Sequence, residues 1–167
     1  MSKVRAYACN DTSSQCHPHT IELSDPGPKD VLFDVKYAGI CHSDIHTARG
    51  EWGPQKYPLV PGHEIAGIVT EVGDQVTKFA IGDHIGVGCM TGSCLSDPDT
   101  SEDEICEQCA AGHENFCVGS GTLWTYGDDR DGNPTAGGYS QTFKVDERFG
   151  LKIPDSIPLD TAAPLLC

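Results

Sequence analysis

Cys106, Cys109 and Cys117 stand in a C-x2-C-x7-C run, with Cys94 a short way upstream. Thiolates are soft ligands that zinc takes up in tetrahedral sets of four, and a two-residue gap lets two sulfurs face one ion. Four sulfurs leave no position open, so such a site holds shape and performs no chemistry. Buried thiols acting as small hydrophobes have no need of that spacing. An iron site of the rubredoxin kind suits four sulfurs as well, but it normally pairs two C-x2-C hairpins and this chain has one. Cys89 is an alternative first ligand; its place at a strand end, away from the other three, favours Cys94. Chemistry must then come from a second set: Cys41-His42-Ser43-Asp44-Ile45-His46, Gly62-His63-Glu64 and Cys167. A Cys2His donor set with one position open is a catalytic zinc arrangement. Two sets of metal ligands in one chain point to a zinc enzyme.

The elements that must position these residues read as mainly β. Nineteen glycines and eleven prolines punctuate short apolar stretches in a chain of 167 residues, the pattern of short strands joined by many turns. Strands are expected over 31–37, 65–72, 84–87 and 139–145, with Gly73-Asp74 and Gly82-Asp83 as turns. A short helix is expected over 43–49, with Ser43 or Asp44 near its cap and Gly50 closing it. From 95 to 117 hydrophobic periodicity vanishes, which suggests a small lobe organised by metal rather than by apolar burial. After Pro154 the character turns helical and breaks off at Cys167 without a cap, on a last turn expected to fray. Trp52 and Trp124 are read as β-core aromatics in preference to pocket walls.

Composition narrows the function classes. The net charge of −14 sets a nucleic-acid partner aside, because a phosphate backbone calls for a basic surface. No apolar run is long enough to span a membrane, and the N-terminal residues lack the apolar stretch of a signal peptide, so a cytoplasmic protein is expected. Nine cysteines with close spacing favour metal over a disulfide framework in that compartment. The acidic residues Asp97, Asp99, Glu102, Asp103 and Glu104 lack the central glycine of a calcium loop and read as a solvated insertion over 95–105. No G-x-G-x-x-G opens a helix after a strand, so the dinucleotide fingerprint is absent.

The segments G-I-C-H-S-D-I-H, Y-P-L-V-P-G-H-E-I-A-G-I-V-T-E-V-G, F-A-I-G-D-H-I-G-V-G-C and A-A-P-L-L-C resemble the zinc-dependent medium-chain alcohol dehydrogenases, for which the Cys2His catalytic set is itself the type example. G-V-G-C-M, W-T-Y-G and G-G-Y-S narrow the resemblance to the cinnamyl-alcohol-dehydrogenase-like aldehyde reductases. It covers essentially the whole chain and implies a mainly β, GroES-like catalytic domain with a structural-zinc lobe and a few short helices. The domain would run over 1–154 with the lobe at 94–117, and 155–167 would begin a nucleotide-binding domain of the Rossmann kind.

By motif, the resemblance implies Cys41, His63 and Cys167 as catalytic zinc ligands and Glu64 beside the metal, either as an alternative ligand or as a group supporting the ligands from behind. It implies Asp44 as the carboxylate orienting the ligand histidine, Ser43 and His46 as a proton relay, and His42 near the cofactor pyrophosphate. Cys94, Cys106, Cys109 and Cys117 would hold a structural zinc, giving two Zn2+ per subunit. The family usually has two residues between its first and second structural cysteines; here eleven separate Cys94 from Cys106. A loop insertion costs little closure entropy. The implied activity is alcohol and aldehyde interconversion with NADP(H), on a small-molecule substrate, in a homodimer when full length. The rival expectation is a non-catalytic zinc-stabilised binding module or truncated pseudo-enzyme.

Overall fold

The computed structural model describes residues 1–97, 99–130 and 132–167. Among these, eleven strands run β1 Ser2–Cys9, β2 Cys16–Leu23, β3 Asp30–Ala38, β4 Ile65–Val72, β5 His84–Val87, β6 Met90–Gly92, β7 Leu123–Trp124, β8 Asp129–Arg130, β9 Asn133–Pro134, β10 Thr142–Asp146 and β11 Leu151–Lys152. Three short helices, α1 His42–Ala48, α2 Glu107–Ala110 and α3 Leu159–Ala162, punctuate them. No helix among the described residues is long and apolar enough to cross a membrane.

The organising element is a five-stranded sheet in the order β10-β3-β4-β5-β11, every pairing antiparallel. Alternation explains its core. Val31 and Phe33 on β3, Ile65 and Val69 on β4, Ile85 and Val87 on β5, and Phe143 and Val145 on β10 all turn to one face and bury there with Phe79. Successive strand side chains point to opposite faces, so Ala66 and Ile68 turn to the other side. There α3 and the turn after it cover them with Ile153, Leu159, Ala162 and Ala163. Phe33 and Phe143 are direct cross-strand partners with ring centres 5.7 Å apart, an arrangement that adds to plain area burial.

Two features lead toward the ligands. The β3–β4 register shifts between Val35 and Tyr37; an irregularity of this kind bends a strand and re-aims its end, here toward Gly39 and Cys41. At the far end of the chain a tight turn over Ala163–Leu166 lies across Gly86. A β-carbon added there would stand 2.8 Å from a Leu166 methyl. The last turn is therefore packed on the sheet, and the expectation that it frays is corrected.

Other expectations hold with adjustments. The strands over 65–72 and 84–87 are observed with those bounds, and the strand expected over 31–37 extends by one residue at each end. The strand expected over 139–145 is Thr142–Asp146, because Ser140 instead bridges Ala6 of β1. The ribbon of β1 and β2, paired along its whole length, was not anticipated, since β2 carries Cys16-His17-Pro18-His19 and little apolar alternation. Helix α1 begins one residue early and is capped by Cys41 rather than by Ser43 or Asp44. Trp52 and Trp124 are not core residues: they are 64% and 51% exposed.

Candidate functional site

The lobe begins at the end of β6, and its described residues over 95–117 contain no strand; they form α2 between two single 3-10 turns. Its four sulfurs converge. Cys94, Cys106, Cys109 and Cys117 place their Sγ atoms within 4.8 Å of one another. Cys94 to Cys106 measures 3.8 Å and Cys106 to Cys117 measures 3.9 Å. A tetrahedron with metal–sulfur bonds of about 2.3 Å has sulfur–sulfur edges of about 3.8 Å, so the cage has the dimensions of a four-thiolate zinc site. Backbone amides point at the sulfurs: Cys106 N–H donates to Cys94 Sγ and Cys94 N–H to Cys117 Sγ, each at 3.4 Å. The N–H groups of Cys109 and Val118 bring the Cys106 thiol down to about 6. Burial, with the neighbouring sulfurs Cys94 and Cys117 next, pushes Cys109 up to about 12. Four thiolates this close repel one another, and a divalent cation at their centre removes that conflict.

The placement of Cys94 settles a local question of geometry. Cys94 is buried inside the cage although twelve positions separate it from Cys106, while Cys89 is exposed and lies outside it. Gly119 and Gly121 close the wall: a β-carbon at Gly121 would come within 2.6 Å of the Cys94 backbone. Only glycine permits so near an approach.

The second cluster is drawn from three separate parts of the fold. Cys41 caps α1, His63 and Glu64 precede β4, and Cys167 follows the turn packed on the sheet. Their donor atoms also lie within 4.8 Å of one another, and Cys41 Sγ stands 3.7 Å from Cys167 Sγ, again the edge of a tetrahedral sulfur pair. His63 and Glu64 are buried, Cys41 is half-buried and Cys167 exposed. Glu64 fits only because residue 39 is glycine, where a β-carbon would stand 1.8 Å from its Oε2.

Asp44 holds this arrangement without belonging to it. Its Oδ2 accepts the Cys41 N–H and the Tyr139 hydroxyl, each at 3.0 Å. Its Oδ1 accepts the Gly62 N–H at 3.2 Å and meets His63 Nδ1 at 3.2 Å. The side chain is buried, and burial opposes its charge. The hydrogen bonds from His63, Tyr126 and the Cys41 amide outweigh that and hold it below the usual carboxylate range. With Nδ1 donated to Asp44, His63 has its other ring nitrogen left for a ligand role, the usual division in histidine metal sites. The Tyr126 ring stacks on His63 at 5.8 Å. Gly62, at φ +106°, makes the turn that sets His63 beside Asp44.

The remaining expected residues surround α1. Ser43 Oγ lies 3.4 Å from Cys41 Sγ. His46 stacks on Trp52 at 5.0 Å, lies 4.6 Å from the His42 ring, and pairs through Nδ1 with Glu51 Oε2. His42 is exposed at the first position of the helix. Glu51, Tyr126 and Tyr139 were not singled out from sequence. The signals were slight: Glu51 follows the glycine that ends the helix, and Tyr139 sits in the Gly-Gly-Tyr-Ser stretch.

The chain also has clear relatives. The alcohol dehydrogenase GroES-like domain matches residues 27–155. NADP-dependent alcohol dehydrogenase C 1 of Mycolicibacterium smegmatis is 54% identical over 168 residues, covering 100% of this chain and 46% of that protein. A probable cinnamyl alcohol dehydrogenase of Pinus taeda is 47% identical over 165 residues, covering 98% of this chain and 43% of that protein. Among solved structures, a cinnamyl alcohol dehydrogenase from Sorghum bicolor superposes with a TM-score of 0.88 at 40% identity, over 99% of this chain and 45% of that one. A cinnamyl alcohol dehydrogenase from Helicobacter pylori, complexed with NADP(H), gives a TM-score of 0.88 at 42% identity over 99% and 45%. The chain thus spans about half the length of the curated relatives it matches. A GroES-like β domain with paired cysteine clusters, matched by that domain over most of its length, belongs to the alcohol dehydrogenase family, among the cinnamyl-alcohol-dehydrogenase-like members.

Proposed function

We propose that this chain is the zinc-binding catalytic part of an oxidoreductase that interconverts alcohols and aldehydes with NADP(H). The observation that carries the reading is the convergence of Cys41, His63, Glu64 and Cys167 on one point, braced by a buried carboxylate. A structural lobe alone has no use for that second cluster. On this reading residues 1–154 form the catalytic domain and 155–167 lead into a nucleotide-binding domain. The names of the relatives support NADP(H) as the cofactor, and the longer protein would act as a homodimer on a small-molecule substrate.

When bound, zinc at this cluster supplies Lewis-acid polarisation of the substrate oxygen, and a reduced nicotinamide supplies hydride. The chain's own residues do the rest. Cys41, His63 and Cys167 would hold the ion, with Glu64 beside them as a further donor. Asp44 fixes the His63 ring and raises its basicity as a ligand. Ser43 lies next to a ligand sulfur, where its hydroxyl meets the substrate oxygen and passes a proton toward His46. Glu51 holds His46 by Nδ1, leaving Nε2 for the exchange. His42 faces outward at the start of α1, where an imidazole helps neutralise a phosphate.

The test begins with zinc per chain, measured by elemental analysis on protein purified without added metal. Two ions are expected; one would leave only the lobe filled and remove the support for a catalytic centre. In the longer protein, Ser43→Ala is expected to cut aldehyde-dependent NADPH oxidation by about 10²-fold or more with both ions retained. Unchanged turnover would remove Ser43 from the relay.

A further inference from the structure

Six of the nine cysteines belong to the two clusters and Cys89 lies close enough to Cys167 to influence it electrostatically. Cys9 and Cys16 remain, at the closed end of the β1–β2 ribbon. We propose that these two are a redox modification site, closing a reversible disulfide that clamps the hairpin against α1.

Three observations carry this. Cys9 and Cys16 are direct partners in the antiparallel register. The Cys9 N–H and C=O both bond Leu59, at 2.8 and 2.9 Å, and in a strand both groups of one residue point the same way. Cys9 therefore faces Cys16 as a non-hydrogen-bonded pair, the type whose Cα atoms stand about 4.5 Å apart with side chains closest. That separation lies inside the range a disulfide requires. The sulfurs are already 2.6 Å apart, so bond formation needs a shift of about half an ångström.

The surroundings divide the roles. Cys9 is 1% exposed, whereas Cys16 is half-buried and reachable; burial also pushes the Cys9 thiol up to about 12. With a peroxide as oxidant, the Cys16 sulfur attacks one oxygen, the O–O bond breaks, and Cys16 becomes a sulfenic acid as water leaves. Cys9 sulfur then attacks Cys16 sulfur, the S–O bond breaks, and the Cys9 proton leaves with the hydroxyl as a second water. Two electrons pass from the thiols to the peroxide, and a dithiol reductant returns them.

The bond would act on α1 because of what the hairpin touches. Cys9 packs with Ala48 at the end of α1 and with Tyr126, which bonds Asp44. In the turn between the strands, Ser14 Oγ accepts from Arg49 Nε at 3.3 Å. Ser14 sits at φ +57°, a left-handed geometry uncommon outside glycine. Cross-linking its flanks holds that turn in place.

The experiment uses the zinc-loaded chain, treated with hydrogen peroxide, alkylated without reduction and digested with trypsin. Cleavage after Arg5 and Lys29 puts both cysteines on one peptide, residues 6–29. The expected product is that peptide lacking two hydrogens and both alkyl groups, restored by dithiothreitol, with the zinc count unchanged. Closing so short a loop is expected to raise Tm by roughly 5 °C, and Cys16→Ser should show neither effect. Full alkylation of both cysteines, oxidation to sulfinic acid without a link, or a link that appears only after zinc is lost would overturn the proposal. A linked peptide with unchanged melting would overturn the clamp.

Discussion

Asp44 offers no atom to the second cluster, yet five groups around it end on its two oxygens. Asp44→Asn keeps the volume but removes the charge and turns an amide N–H toward groups that already donate. The usual cost of losing such a partner is about 10–100-fold in metal affinity. At limiting zinc the variant is therefore expected to hold its lobe ion and lose the other, and elemental analysis reads the difference as a fall from two ions to one. An unchanged count under the same limitation would reduce Asp44 to a packing role.

At the scale of the element, the ion proposed for the four-cysteine lobe would carry that segment's shape. Among the described residues between 95 and 117 only Cys109 is buried, so apolar burial gives the segment little reason to keep its shape. Cys106→Ser is expected to leave the five-stranded sheet folded while 95–117 becomes the first site of protease cleavage, with one zinc remaining. Limited proteolysis followed by mass mapping checks it; cleavage spread through β3 and β4 would contradict it. This division also explains what was legible in the sequence. Strands β4 and β5 were readable because apolar residues and flanking Gly or Asp fix them locally. The lobe was readable because Cys106 and Cys109 declare their spacing. The β1–β2 ribbon was not, because pairing along its full length stabilises it without apolar alternation in β2. Nor were Tyr126 and Tyr139, whose meeting with Asp44 depends on tertiary placement alone. The two tryptophans were misplaced because a large aromatic is a core residue by habit, while Trp52 here lies against an imidazole at the surface.

For the molecule as a whole, one carboxylate ties distant parts together. Glu147, between β10 and β11, accepts the N–H groups of Thr77 at 2.8 Å and Lys78 at 2.7 Å from the loop joining β4 to β5. Burial opposes its ionisation, but those two amides outweigh burial and hold it below its reference value of 4.5. A depressed folded value contributes stability above the unfolded pKa and loses it as pH falls through the folded one. Glu147→Gln is expected to cost about 1 kcal/mol at pH 7, discounted for partial exposure. The gap in Tm between the two proteins should close as the pH is taken below 4.5; a gap independent of pH would contradict the assignment. The two clusters differ in another respect, the order in which a growing or refolding chain completes them. Cys94 and Cys106 are separated by 12 positions, Cys41 and Cys167 by 126, and closing the longer loop costs about 2 kcal/mol more. On the two-zinc reading proposed above, the lobe would take its ion early and almost alone, and the second would wait until β3, β4 and the final turn are docked.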